Sequence, residues 1–387
     1  MKKYLLFAAC ALTLVACENR GGEVSTEKEA ALQQAVTPYV NNTVIATYSA
    51  MADAGLTLLD QCGQILAKVE TGEDYSKLMS DAGTSWRAMR KHWEQSEAFL
   101  YGPASAHNID PHIDSWPLDF NAMNALLHDA ERMAAIEEEG GAYVGDKLGY
   151  ALKGFHAAEY LLFESVEKDG RPVGTGRPHA ANLTHAEAVY LLGIAEDLTQ
   201  QAILLEYAWA GEVSDAKQAV LDEGEVEPYE DRYGWQMINA GKAGSIYVTY
   251  QEAAEEIIAG CIDIAGEVAD LKMGNPYISS TAEERDYIES PYSCTSTIDF
   301  ADNIRSIQHA YCGAQAGDHS ISNYVYRQDA ELDARVRKAI EDAIKAIEQI
   351  GDFENTAQNN PLVKAAIDQV SALEEVLDKE VLPLLSK

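Results

Sequence analysis

Residues 186–210 read "AEAVYLLGIAEDLTQQAILLEYAWA", and this stretch indicates the fold class. Its apolar residues recur three and four positions apart, which is the spacing of a helix that buries one face. The same spacing recurs along the chain after the first 29 residues, and no long stretch alternates polar and apolar residues as a half-buried strand does. The sequence therefore predicts an all-α protein.

The chain has 387 residues, which is long enough for two helical-bundle domains with sizeable cores. A compositional break over residues 211–233, "GEVSDAKQAVLDEGEVEPYEDRY", is acidic and contains proline and glycine. We interpret residues 213–233 as an exposed connector between an N-terminal bundle, residues 30–212, and a C-terminal bundle, residues 234–387. The alternative is a long loop inside one domain. Two similar segments, "SEAFLYG" and "SIQHAYCG", are the basis for predicting that the bundles arose by duplication.

Acidic residues outnumber basic ones, with 63 Asp and Glu against 29 Lys and Arg, so the formal net charge is -34. This charge would repel the phosphates of a nucleic acid and gains nothing from an anionic lipid surface. We therefore expect no nucleic-acid partner. Most of these carboxylates are expected to lie on solvated helix faces.

The first 16 residues are predicted to be an export signal. Lys2 and Lys3 precede an apolar run, residues 4–15, that is too short to cross a bilayer. The run ends in "LVAC", which resembles the lipobox of bacterial lipoproteins, whose signal is cut before a cysteine that is then diacylated. We therefore predict that Cys17 is lipidated and that residues 17–29 form a tether; the alternative is a free cysteine after a plain signal peptide.

A lipid on Cys17 would attach the protein to a membrane without a transmembrane helix in the mature chain. The expected location is the bacterial cell envelope, either on the periplasmic side or at the cell surface.

Four further cysteines follow the predicted anchor, and none has the CxxC spacing of a metal site: Cys62, Cys261, Cys294 and Cys312. An exported chain permits disulfides, and the sequence leaves all three pairings of four cysteines open. Buried free thiols are an equally good interpretation.

The stretch "LKGFHAAEYLLF", residues 152–163, places two ionisable residues within an apolar helical pattern. On a helix, His156 and Glu159 lie on one stripe with large apolar residues, so both point towards the core. A buried ionised carboxylate needs a partner, and a His and a Glu three residues apart can converge on one metal ion. Gly154, on the neighbouring face, would let a helix or a ligand approach closely. The alternative is a buried His–Glu hydrogen bond completed by polar groups of another helix.

Two helical ligands do not complete a metal site, so other donors must come from elsewhere in the chain. Glu97 lies on a predicted stripe with Arg90 and two tryptophans, whereas Glu94 is predicted to lie off that buried face. Arg90 is the expected partner of Glu97 if no metal binds. The loop after Pro103 is rich in donors, and Asp114 lies within it; capping or turn formation is the alternative role for its aspartates.

Three segments together resemble the imelysin family. "GFHAAEYLLF" looks like the GxHxxE signature of that family, and "SEAFLYGP" followed by "IDPHIDSWP" is similar to another of its segments. In the second half, residues 289–313, "ESPYSCTSTIDFADNIRSIQHAYCG", are similar to a third. The resemblance spans nearly the whole mature chain and implies two helical bundles with a site near their interface. It departs from the family around "GRPVGTGRP", residues 170–178, which we interpret as a variable loop.

The resemblance and the spacing together give a set of candidate site residues. The predicted metal ligands are His156, Glu159, Glu97 and Asp114, with an orienting contact to the histidine as the alternative role for Asp114. The residues predicted to surround them are Gly154, Arg90, His112, Asp299, Asn303 and Tyr311.

The family carries two labels, a peptidase and proteins of iron regulation or iron binding. This chain lacks the HExxH pattern of familiar helical zinc peptidases, and its candidate donors are mostly oxygens, which suit iron at least as well as zinc. We therefore predict an exported lipoprotein that binds a metal ion or a metal-bearing ligand, with iron favoured over zinc. It would act in bacterial iron uptake, with iron-uptake components as partners. The alternatives are a metal-dependent peptidase and a non-catalytic scaffold that binds a protein partner between the bundles.

Overall fold

The computed structural model describes residues 26–168, 171–281 and 287–387. The predicted signal, Cys17 and the tether up to residue 25 lie outside the described residues. Within the described ranges, every helix is too short or too polar to pass through a lipid bilayer.

Helices form the fold, as the apolar spacing predicts. In the first half they are α1 (Thr26–Pro38), α2 (Ala46–Thr71), α3 (Ser76–Glu94), α4 (Pro103–Ala106), α5 (Ile109–Ile113), α6 (Phe120–Leu127), α7 (Ala130–Glu139), α8 (Gly141–Lys147), α9 (Gly154–Leu162) and α10 (His185–Ala210). A π-helical segment, Tyr39–Ile45, joins α1 to α2, and 3₁₀ turns cover Glu97–Phe99 and Tyr150–Leu152.

The second half continues in the same manner. Its helices are α11 (Asp215–Glu223), α12 (Tyr233–Ile238), α13 (Tyr250–Glu267), α14 (Gly274–Ile278), α15 (Ser296–Cys312), α16 (Ile321–Gln328), α17 (Ala330–Glu348), α18 (Phe353–Thr356), α19 (Pro361–Val376) and α20 (Leu382–Leu385). Further π-helical segments cover Val268–Lys272 and Leu377–Val381.

Helix α10, which contains residues 186–210, packs against α2, α8 and α9. Its start is set by a capping box between Thr184 and Glu187, and it ends at Gly211, whose φ of 83° is left-handed. In the second half, α13 packs against α15 and also against α1. The buried apolar side chains form one continuous cluster from Leu32 to Leu385. The division into two domains and their origin by duplication stay predictions.

The acidic segment at residues 213–233 contains a helix, and its role as an exposed connector between two domains stays a prediction. It contains α11, in which Leu221 is fully buried. Lys217 is also buried, and its Nζ lies 2.7 Å from Glu206 Oε2. The segment is therefore anchored to α10 by an ion pair and by apolar packing.

The prediction that residues 170–178 form a variable loop is wrong. Strands β1 (Phe163–Lys168) and β2 (Arg171–Pro178) form an antiparallel hairpin. Gly174 packs so closely that a Cβ there would lie 2.2 Å from the Pro291 carbonyl oxygen. The hairpin therefore packs against part of the second half of the chain. The sequence does not reveal this contact, because the strand pattern is short and directly follows a helical one.

The four cysteines of the described chain are free thiols in this structure. Cys62 and Cys261 are buried, while Cys294 and Cys312 are partly exposed. Of the two interpretations left open by the sequence, the structure shows free thiols.

Candidate metal centre

The GxHxxE helix is shorter than the apolar pattern suggests. The helical pattern of residues 152–163 is not one continuous helix, because a 3₁₀ turn ends at Leu152 and α9 begins only at Gly154. Gly154 has a φ of 76°, and a Cβ there would lie 2.2 Å from the Ile113 carbonyl oxygen. The glycine thus allows the close approach that the sequence predicts, but the approaching group is the backbone of α5. This contact brings α9 next to the residue that follows α5, Asp114.

His156 is 2% exposed and lies between two carboxylates. Its Nδ1 is 3.3 Å from Glu159 Oε2, and its Nε2 is 3.0 Å from Asp114 Oδ1. Both ring nitrogens donate only when the imidazole is protonated. Burial lowers the pKa of His156, but the hydrogen bonds to Asp114 and Glu159 outweigh burial and raise the pKa to about 8. The predicted His–Glu pair is therefore present, and His156 also forms a hydrogen bond with Asp114.

Glu159 is completely buried and connects α9 to the second half of the chain. Its Oε1 accepts hydrogen bonds from the backbone N–H groups of Tyr292 (3.0 Å) and Ser293 (2.7 Å) and from the Ser293 hydroxyl (2.7 Å). This carboxylate is therefore satisfied by protein donors on one side and by His156 on the other.

Arg90 is 1% exposed and lies among three carboxylates. It forms ion pairs with Glu94 (2.6 Å), Glu289 (2.9 Å) and Asp114. The expected pairing of Arg90 with Glu97 is therefore wrong.

Glu94 is also not on a solvent-exposed face, because its side chain is completely buried. Helix α3 ends at Glu94, and the chain turns before the 3₁₀ segment that contains Glu97. Glu97 is buried, as the predicted stripe requires. Glu94 follows Arg90 by four positions within α3, so it lies on the same helical face as Arg90 and pairs with it.

Lys272 is the partner of Glu97, and sequence reasoning missed it. The Nζ of Lys272 lies 2.9 Å from Glu289 Oε1, 3.5 Å from Glu97 Oε1 and 3.8 Å from Glu94 Oε2. Its side chain is buried at the end of the π-helical segment after α13. The available signal was that Lys272 follows Val268 by four positions on an apolar stripe.

Among the described residues of this buried region, carboxylates outnumber cations. Two permanent cations, Arg90 and Lys272, and one histidine face six buried carboxylates: Glu94, Glu97, Asp114, Glu159, Glu289 and Asp299. Oxygens of Glu94, Glu97 and Asp114 all lie within 4.8 Å of one another. We call these three residues the acidic centre.

The surplus of negative charge changes the protonation of the region. Burial raises the pKa of Glu94 and of Glu97 well above the usual range and raises the pKa of Asp299 to about 7. Burial also opposes the ionisation of Asp114, but Arg90 and His156 outweigh it and hold the pKa of Asp114 below its usual range. The centre must therefore take up protons or a further cation at neutral pH.

Besides Gly154 and Arg90, two of the predicted surrounding residues contact this region. Asn303 Nδ2 donates to Glu94 Oε2 at 2.5 Å. Asp299 accepts from the Ser290 hydroxyl at 2.5 Å and so helps to hold the loop that Glu159 binds.

The other two predicted surrounding residues have different partners. His112 Nε2 lies 2.8 Å from Asp197 Oδ1. Tyr311 donates to Asp333 at 3.0 Å. The structure thus gives each of them a carboxylate partner outside the acidic centre.

A cavity of about 210 Å³ lies beside His156. Its walls are mainly apolar and come from the segment after Asp114, from the hairpin and from the loop that Glu159 binds. Glu289 and Glu354 also line it. The cavity therefore adjoins both the histidine and the carboxylates around Arg90.

The stabilisation from protonated His156 is expected to disappear in alkaline solution. The pKa of His156 is about 8 in the folded protein against a usual 6.5, which corresponds to about 2 kcal/mol. Because the folded pKa is the higher one, this contribution is complete below pH 6.5 and is lost as the pH rises through 8. Urea unfolding of the native chain and of His156→Gln measures it. The difference in free energy of unfolding between the native chain and His156→Gln should be about 2 kcal/mol smaller at pH 9 than at pH 6. An equal difference at both pH values would contradict a stabilising role for protonated His156.

Comparisons with known proteins match nearly the whole chain. The family model described as the peptidase family imelysin matches residues 27–379. Iron-regulated protein A of Synechococcus elongatus is 26% identical over 387 residues, covering 98% of this chain and 90% of that protein.

Solved structures show the same fold. An iron-regulated protein A precursor from Parabacteroides distasonis superposes with a TM-score of 0.73 at 24% identity, covering 95% of this chain and 97% of that one. An imelysin-like protein from Psychrobacter arcticum superposes with a TM-score of 0.63 at 12% identity, covering 94% and 97%. These neighbours confirm the predicted all-α fold.

Proposed function

The chain belongs to the imelysin family, and from this premise and the geometry around His156 we propose that it binds a metal ion at the acidic centre. Iron is the favoured ion, and zinc is the alternative. The observation that carries the proposal is the surplus of buried carboxylates over cations. A bound cation would neutralise that surplus; among the described residues, the other means of neutralising it is protonation of the carboxylates.

The donors present fit a hard or intermediate metal ion. Glu94, Glu97 and Asp114 offer three carboxylate oxygens close together, and oxygen donors suit iron. His156 contacts Asp114 through Nε2, so an imidazole nitrogen becomes available beside the centre when the ring loses a proton. Metal binding would therefore release a proton and strengthen with rising pH.

Glu159 has a different role in this proposal from the one predicted by the signature. Its Oε1 accepts three hydrogen bonds from Tyr292 and Ser293, so it holds the loop against α9 and fixes the position of His156. The signature then contributes one donor, His156, and one positioning residue, Glu159.

A role in bacterial iron uptake is supported by the name of the Synechococcus relative, an iron-regulated protein. We extend that association to this chain as part of the proposal. The proposal also includes export of the chain and attachment of Cys17 to a membrane of the cell envelope. It further includes contact with iron-uptake components.

Metal titration tests the proposal directly. The purified chain, stripped with a chelator, should bind one ferrous ion under anaerobic conditions, as measured by calorimetry and metal analysis. Glu94→Gln and Asp114→Asn should weaken binding by about 100-fold or more, because even outer partners of metal ligands are worth about tenfold to 100-fold. Zinc titrated in the same way identifies the preferred ion.

The exposed Glu212→Gln serves as the matched control and should bind as the native chain does. Glu159→Gln should weaken binding less than Asp114→Asn does if Glu159 positions the histidine. Absence of bound metal in the native chain, or unchanged affinity in both Glu94→Gln and Asp114→Asn, would reject the acidic centre.

The description of the matched family as a peptidase favours metal-dependent hydrolysis as a second candidate function. It requires cleavage of an unfolded polypeptide that a chelator abolishes and that disappears in Glu159→Ala. No cleavage at high protein concentration would reject it. A scaffold without metal, the remaining alternative, predicts that an apolar replacement of His156 and Glu159 together leaves function intact.

A further inference from the structure

The cavity beside His156 has walls that a hydrated metal ion does not need. Trp116, Phe120 and Tyr292 contribute aromatic rings, and Val173 closes one side from the hairpin. Apolar walls with a few polar groups are typical of sites for small organic molecules. The cavity is therefore chemically distinct from the acidic centre next to it.

Two residues of the cavity wall carry buried polar atoms whose hydrogen-bonding capacity is unused. Glu289 is 1% exposed; its Oε1 binds Arg90 and Lys272, whereas its Oε2 has no hydrogen-bond partner among the described residues. The indole Nε1 of Trp116 is likewise without an acceptor in the described chain. Buried polar groups without partners are rare in folded proteins and call for an explanation. A ligand with one donor and one acceptor would satisfy both.

Among the described residues that line the cavity, two carboxylates stand against one histidine, so the balance of charge favours a positively charged donor. Glu354 is a second carboxylate in the wall. His156 also faces the cavity, but both of its nitrogens are committed to Asp114 and Glu159. Lys272 Nζ already lies over the Trp116 ring, 5.8 Å from its centroid. The rings of Phe120 and Tyr292 add attraction for a ligand cation that lies against their faces.

We propose that this cavity binds a small organic amine with an apolar body. Both unpartnered atoms are closed to solvent in this structure, so the ligand reaches them when the Glu289 and Trp116 side chains rotate towards the cavity. Its ammonium group then donates to Glu289 Oε2, an oxygen of the ligand accepts from Trp116 Nε1, and its apolar body packs against the aromatic walls. The proposal does not rest on metal binding at the acidic centre, since none of those three carboxylates lines the cavity.

Calorimetric titration of the metal-free full chain with phenylalaninol tests the inference. This probe combines an ammonium, a hydroxyl oxygen and a phenyl ring. N-acetylphenylalaninol keeps the ring and the hydroxyl but lacks the charge, and it should bind about tenfold to 100-fold more weakly, the range for loss of a charged hydrogen bond. Trp116→Phe should weaken phenylalaninol by about threefold to tenfold, the range for a neutral hydrogen bond.

Val173→Trp provides a variant that leaves the buried ion pairs intact. It fills the cavity from the half-buried hairpin, so binding should be lost while the thermal unfolding of the protein is unchanged. Glu212→Gln is again the control and should bind normally. Failure of phenylalaninol to bind at millimolar concentration, equal affinity for the acetylated probe, or full affinity in Val173→Trp would each overturn the proposal.

Two kinds of ligand carry such an ammonium group, a free amine and the N-terminal residue of a peptide. A tripeptide that begins with phenylalanine distinguishes the two sources. Binding as tight as that of phenylalaninol indicates a peptide terminus, and tenfold weaker binding indicates a free amine. Ferrous titration of Val173→Trp separates this inference from the proposed metal function, because metal binding should persist in that variant.

Discussion

Replacing Arg90 by methionine is expected to lower the free energy of unfolding by about 3–5 kcal/mol, the range for removing one partner of a buried ion pair. Arg90 is 1% exposed and pairs with Glu94, Asp114 and Glu289. Methionine keeps much of the volume of the side chain but removes the charge, so three buried carboxylates lose a partner. Urea unfolding at pH 7 measures the loss.

The loss should depend on pH, which separates the charge from the packing. Carboxylates left without Arg90 can become neutral by protonation, so the destabilisation should be smaller at pH 5 than at pH 8. Arg335→Met is the matched control, because Arg335 pairs with Glu380 at the surface and such pairs contribute about 0–1 kcal/mol. A loss in Arg90→Met no larger than in this control would show that Arg90 is not the main compensating charge.

Gly154→Ala is expected to be destabilising by about 2–5 kcal/mol. The left-handed φ of 76° costs an alanine about 1–2 kcal/mol, and the contact of its Cβ with the Ile113 carbonyl oxygen, at 2.2 Å, adds an overpacking cost of about 1–3 kcal/mol. Because Ile113 directly precedes Asp114, a shift of α9 would also disturb the contact between His156 and Asp114. Urea unfolding and ferrous titration of the same variant measure both effects.

Gly72→Ala is the control for backbone strain alone. Gly72 has a φ of 69°, but a Cβ there would meet nothing within 4 Å. This variant should lose only about 1–2 kcal/mol and bind metal normally. Equal losses of stability in the two variants would mean that the contact with Ile113 contributes nothing.

The fold class was predictable because long helices carry their own signal. Residues 186–210 and the run before Thr71 bury apolar stripes over many turns, and both are helical in the structure. Helix ends were less predictable where a distant contact sets them. The break before Gly154 depends on the backbone of Ile113, and the hairpin at residues 163–178 depends on packing against Pro291.

The candidate site was predictable only in part, for a related reason. The burial of His156 and Glu159 follows from their own helix, which the sequence describes well. Glu94 was misplaced because the stripe drawn through Arg90 and Glu97 omitted the residue four positions after Arg90, which lies on the same face of α3. Lys272 and Glu289 come from the second half, and their partners in the first half lie more than a hundred positions away. Single-sequence periodicity does not encode such pairings.

The hydrogen bonds from Tyr292 and Ser293 to Glu159 have a practical consequence for dissecting this protein. A fragment truncated at the acidic connector would keep the entire GxHxxE sequence but leave that carboxylate without its three donors. Arg90 would lose Glu289 in the same cut. Neither piece is therefore a self-sufficient module, and coexpression of both pieces is the minimum needed to reconstitute the chemistry of the signature.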